Sequence, residues 1–71
     1  MDQEILEFAR TVGQAEAGEE ETLSRLCLAA ERELEGRLRP GVTAQDCRGA
    51  FVIAAAWIAL AGLCVSRQEA G

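Results

Sequence analysis

The chain has no histidine, lysine, tyrosine or asparagine. These absences remove the usual general base, the Schiff-base nucleophile and most polar groups that orient a substrate. Ser24 and Ser66 stand without a base. There is no glycine-rich phosphate loop and no paired-carboxylate site with an orienting partner. No catalytic residue is expected, and the chain does not read as an enzyme. The three cysteines, at 27, 47 and 64, are odd in number and form no CxxC pair. Without histidine they make neither a zinc site nor a disulfide framework. No metal and no cofactor is therefore expected. The cysteines read as small hydrophobes, with Cys27 and Cys64 on core faces and Cys47 near a helix start, in a reducing compartment.

All seven basic residues are arginine, and the net charge is −5. A phosphate-tracking protein carries basic stripes, so no nucleic-acid partner is expected. Arg32, Arg37, Arg39 and Arg48 nevertheless cluster near one turn. The charge is also uneven: residues 1–24 hold seven acids against Arg10, while residues 25–71 hold six arginines against five acids. Solvated helix faces account for that pattern, and head-to-tail pairing between copies is the alternative. The acidic N-terminus has no signal-peptide character.

Three helices are expected, at about 2–12, 19–38 and 44–66, in one domain over 1–71. The fold class is all-α: a three-helix bundle with a short N-terminal helix on an antiparallel αα-hairpin. In the first helix Asp2 can act as N-cap, and Ile5, Phe8, Ala9 and Val12 recur on one face, widened by Leu6. Gly13 stands where a left-handed C′ residue belongs. Glu19, Glu20 and Glu21 complement the dipole of the second helix. Leu23, Leu26, Cys27, Ala30, Leu34 and Leu38 form its apolar stripe. Glu21–Arg25, Glu33–Arg37 and Glu35–Arg39 are available as ion pairs at i, i+4. Leu28 is the misfit, an apolar residue on the outer charged face. Arg39-Pro40-Gly41 stops the helix. Thr43 with Asp46, stapled by Val42 and Cys47, reads as the next N-terminus.

The third helix is apolar on nearly every side. At 100° per residue, Ile53, Trp57, Leu60 and Cys64 fall on one face, Phe51, Ile58 and Val65 on a second, and Ala50, Ala54 and Ala61 between them. This bulky side is expected to face inward, onto the leucines of the second helix. The opposite side, with Val52, Ala55, Ala56, Ala59 and Leu63 and the polar ends Gln45, Arg48 and Ser66, is expected to face outward. With Leu28, these residues are the candidate oligomer interface. The sixteen uncharged residues from Ala50 to Val65 make about 24 Å of helix, short of the ~20 residues that cross a bilayer. Arg48 and Arg67 flank the run on both sides. A membrane partner is not expected.

The order of segments carries a resemblance. A short amphipathic helix leads to the acidic start Gly18-Glu19-Glu20-Glu21-Thr22-Leu23 and the Leu/Ala helix Leu23-Ser24-Arg25-Leu26-Cys27-Leu28-Ala29-Ala30-Glu31-Arg32-Glu33-Leu34. The Ala-rich helix Cys47-Arg48-Gly49-Ala50-Phe51-Val52-Ile53-Ala54-Ala55-Ala56-Trp57 follows. Over about residues 4–64 this resembles the small all-helical head–tail connector (head-completion adaptor) proteins of tailed phages and prophages. The resemblance implies a structural subunit that forms a homo-oligomeric ring, meets phage structural proteins, and resides in the host cytoplasm or the virion. It carries no catalytic residue. The sequence departs from the family where Arg37-Leu38-Arg39-Pro40 replaces the usual aromatic at the exit of the second helix. A generic helical interaction module and a small membrane-inserted protein are the alternative expectations.

Overall fold

A computed structural model describes residues 3–70; the cap expected of Asp2 lies outside them. Three helices follow in order: α1 (Gln3–Gly13), α2 (Glu20–Arg37) and α3 (Arg48–Ala70), with a 3₁₀ turn at Ala17–Glu19 before α2. The described residues make an all-α, three-helix bundle, as the periodicities indicate. Glu4 of α1 meets Arg48 at the start of α3, while Gly13 lies against Leu60 and Leu63 further along α3. α1 therefore runs parallel to α3. The chain then turns, so that Glu19 meets Arg67 and Leu26 meets Gly62. α2 runs antiparallel to both, and α2 and α3 form the αα-hairpin.

Each helix begins and ends for a local reason. The left-handed residue after α1 is Gln14, at φ 50°, rather than Gly13. The Ala15 N–H then reaches the Arg10 carbonyl at 3.2 Å, which closes the helix end. Gly13 is occupied by a different demand. A Cβ there would collide with Leu60 Cδ2, so the absent side chain admits α3. Downstream, the capping signal at Thr43 sets a turn instead of the first helical residue. Asp46 Oδ2 accepts the Thr43 N–H at 2.8 Å and the Thr43 hydroxyl at 3.1 Å. Regular α3 starts only at Arg48, four residues later than the expected Ala44.

α2 presents the expected stripe. Leu23, Cys27 and Ala30 are buried, and Leu26, Leu34 and Leu38 pack at its margins. Two of the expected pairs form, Arg25 with Glu21 and Arg37 with Glu33. Arg39 lies beyond the last helical residue, Arg37, so the geometry that would bring it to Glu35 is not in place. On α1, Ile5, Leu6 and Ala9 are buried and Phe8 is partly so, whereas Val12 faces solvent.

The orientation of α3 is the reverse of the expected one. Val52, Ala55, Ala56, Ala59 and Leu63 are buried in the core, and Ile53, Trp57, Ile58, Cys64 and Val65 face solvent. Of the second bulky face only Phe51 turns inward, and of the first only Leu60 does so, partly. The reason is volume. α1 and α2 bring Ile5, Leu6, Leu23 and Leu26 to α3, and a close-packed interior needs small residues opposite large ones. Ala55, Ala56, Ala59 and Gly62 supply that space; a Cβ on Gly62 would stand 2.7 Å from Leu26 Cδ2. A core built on Trp57, Ile53 and Ile58 would hold the helices too far apart.

Candidate interaction surface on the third helix

With the small residues turned in, α3 shows the solvent a second apolar face. Trp57 is 53% exposed, Val65 53%, Ile53 47% and Ile58 38%. Ala50, Ala54, Ala61 and Cys64 are exposed between them. On a helical wheel these eight positions fill one sector of about 140° at 100° per residue. No charge interrupts the sector from Ala50 to Val65. Its one strong hydrogen-bonding group is the Trp57 indole N–H. Isolated exposed hydrophobes are ordinary, but a contiguous apolar sector along a helix marks a surface that meets something.

The expected interface residues do not compose this surface. Val52, Ala55, Ala56, Ala59 and Leu63 lie within the core, and Leu28 is half-buried on α2. The outward set is instead Ile53, Trp57, Ile58, Cys64 and Val65, the residues whose spacing predicts an inward face. One signal pointed the right way: Arg48 and Ser66 lie on the same wheel side as the buried alanines. Arg48 is the N-terminal clasp onto α1, its Nη2 2.8 Å from Glu4 Oε1. The Arg48 end of that side is thus a tertiary contact rather than the rim of an external patch.

At the other end of α3, Arg67 gathers three segments. Its Nε and Nη2 each donate to the Glu19 carboxylate at 2.7 Å, and Nη2 also donates to the Gly13 carbonyl at 3.1 Å. Glu19 Oε1 accepts the Glu16 N–H at 3.1 Å as well. These bonds to the charged form, from Arg67 first and Glu16 second, hold the Glu19 carboxyl down at about 2. The cation also sits favourably at the carboxyl end of α1. Next to this clasp, Arg10 forks onto Glu20 at 2.7 and 2.9 Å. A hollow of about 410 Å³ among Gly13, Gln14, Glu16, Glu19 and Arg67 belongs to this network. The pairing is internal, so the network anchors the bundle that displays the α3 face.

A shallow groove of about 420 Å³ runs beside α1, lined by Glu4, Glu7, Phe8, Thr11, Val12 and Val52. Of the thiols, Cys27 is buried, and burial followed by the Glu31 charge pushes it up, away from reactivity. Cys47 is half-buried, and Cys64, expected in the core, stands exposed on the apolar sector. Among the described residues, no three of His, Cys, Asp and Glu come together as metal ligands. α3 is long and apolar enough to cross a membrane over Arg48–Glu69, 22 residues. The expectation of too short a run does not hold for the helix as formed, because it continues past the uncharged stretch. Comparison with family models, with curated proteins and with solved structures gives no match for this chain.

Proposed function

We propose that this chain is a non-catalytic assembly subunit, an adaptor of the phage or prophage head–tail connector kind, that works by packing the outward face of α3 against other protein subunits. The observation that carries the reading is the uncharged sector with Ile53, Trp57, Ile58 and Val65 all more than a third exposed. Among the described residues α1 and α2 both pack on the opposite side of α3 and leave that face uncovered. The connector kind rests on the order of segments: a short helix, an acidic start, a Leu/Ala helix and an Ala-rich helix. The lack of histidine, lysine and tyrosine supports a role without catalysis. The test is multi-angle light scattering of the full chain across concentrations. Association above the monomer mass, abolished by Trp57→Glu, is the expected result; a monomer at every concentration contradicts self-assembly.

A second reading has an observation of its own, the 22-residue apolar length of α3. In that reading the outward face lies in a lipid surface, and α1 and α2 stay on the aqueous side. The ion pairs from the two ends of α3 to Glu4 and Glu19 keep charged segments packed on its inward side, which argues against a span and leaves contact of the outward face with a lipid surface as the form this reading takes. Flotation with neutral lipid vesicles separates the two: an assembly subunit stays at the bottom of the gradient, and a membrane-surface protein rises with the lipid.

A further inference from the structure

The outward sector of α3 has an internal order that specifies its partner. Ala50, Ala54, Trp57, Ala61, Cys64 and Gln68 follow one another at alternating steps of four and three, the spacing of a coiled-coil seam. Five of the six are apolar and all are exposed. Four of the six, Ala50, Ala54, Ala61 and Cys64, are small, and the one large apolar residue, Trp57, stands between Ala54 and Ala61.

We infer that this seam pairs with the same seam of a second copy of the chain, antiparallel, around a two-fold axis at the level of Ala59. This rests on the assembly reading above and adds to it a partner and a direction. Three observations decide between the possible pairings. First is volume. In a parallel pair each position meets itself, so Trp57 would crowd Trp57 in one layer while Ala54 and Ala61 would leave gaps in the layers on each side. In the antiparallel pair Trp57 lies over Ala61 of the second copy and Ala54 over Cys64, so each layer holds one large or medium residue and one small one. The ridges follow the same register, with Ile53 beside Val65 of the second copy. Second is charge. The start of α3 carries Arg48 and its last turn carries Arg67, and each is already matched by an acid of its own bundle, Glu4 and Glu19, so the helix dipole is the polarity that remains. A parallel pair aligns the two helix dipoles, whereas an antiparallel pair opposes them. Third is area. From their fractional exposures the eight residues offer on the order of 500 Å² per copy, so an isologous pair that covers the whole face buries at most about 1,000 Å², at the threshold for a specific interface. Heterologous docking of the same face onto charged surface elsewhere on the bundle would bury less apolar area per copy.

The experiment uses the full chain carrying Cys47→Ser, which removes the other partly exposed thiol, with and without Ala54→Cys. Position 54 is exposed, so the added thiol leaves the fold intact, and circular dichroism verifies it. Both proteins are oxidised with catalytic copper in air, and the bridged peptides are mapped by mass spectrometry. In the antiparallel pair the two Cys64 residues are about 15 Å apart along the axis at 1.5 Å per residue, beyond disulfide reach. The expected result is a covalent dimer of the Ala54→Cys protein bridged between 54 of one copy and 64 of the other, and no covalent dimer without that substitution. Bridges joining 64 to 64 or 54 to 54 overturn the antiparallel pairing. So does the lack of any bridge in a protein that light scattering shows to be associated. A monomer at every concentration in the reduced state overturns both this pairing and self-assembly, so the two failures are told apart.

Discussion

The two sides of α3 are built from nearly the same residues and do opposite work. The inward side has Ala55, Ala56, Ala59 and Leu63; the outward side has Ala50, Ala54 and Ala61 with Ile53, Trp57, Ile58 and Val65. Hydrophobicity does not distinguish them. What distinguishes them is what stands opposite. The inward side faces Ile5, Leu23 and Leu26, which require small partners, and is locked at its ends by Arg48 to Glu4 and Arg67 to Glu19. The outward side faces solvent and keeps its bulk. The alanine-rich side becomes the core, and the side with Trp57, Ile53 and Ile58 is left facing solvent.

The comparison breaks most severely on the inward side. Ala59→Glu places an unpaired carboxylate and extra volume at a site 1% exposed. The cost of more than about 4 kcal/mol consumes the ~3–5 kcal/mol that a core this small supplies. Thermal melting followed by circular dichroism should show an unfolded chain. On the outward side, Trp57→Glu should change monomer stability by about 0.5 kcal/mol or less, as surface substitutions do, with helical content intact and association lost by light scattering. A single substitution that unfolds the chain from the outward side would reverse the assignment of the two faces.

Smaller changes sharpen the packing argument. Gly62→Ala puts a Cβ 2.7 Å from Leu26 Cδ2, with Cδ1 at 3.4 Å and Cγ at 3.6 Å. Overpacking of about 1–3 kcal/mol is partly offset by the helix preference for alanine over glycine, about 1 kcal/mol. A net loss of about 1 kcal/mol is expected in a urea melt; a gain would mean that the α2–α3 contact is loose. The smallest effect concerns the clasp. Glu19 is held at about 2 in the fold against an ordinary value of 4.5. Its folded value is depressed, so its stabilisation is full above the ordinary value and is lost as pH falls through that window. The difference in melting temperature between the native chain and Glu19→Gln should therefore be present at neutral pH and shrink towards pH 2. An unchanged difference across that range would mean that the Arg67 contact is not made in solution.

Much of the fold was readable from the sequence because its signals were local. The α2 stripe from Leu23 to Leu38, the stop at Pro40 and the two i, i+4 pairs on α2 follow from spacing alone. The orientation of α3 was not readable in the same way, because a helix apolar on all sides has no preferred face and alanines occur on both. The decision lies in contacts distant in sequence: Gly13 admitting Leu60, Gly62 admitting Leu26, and two arginines reaching Glu4 and Glu19. Arg48 and Ser66 on the alanine side were visible, but a polar end reads equally as a solvent rim or as a clasp until its partner is placed. The same limit applies to Gly13, whose value is a close approach to α3 rather than a left-handed turn, and to Thr43, whose capping bond closes a turn just before the helix.

Trp57 is the one tryptophan in the chain and sits at the middle of the outward face. Its fluorescence therefore reports directly whether that face is covered. Diluting the native chain under conditions where circular dichroism shows the helices intact should move the emission from a blue, buried maximum to the red maximum of an indole half exposed to water. An emission that stays at the water-exposed maximum at every concentration, with the fold intact, would contradict the claim that the outward face of α3 is an association surface.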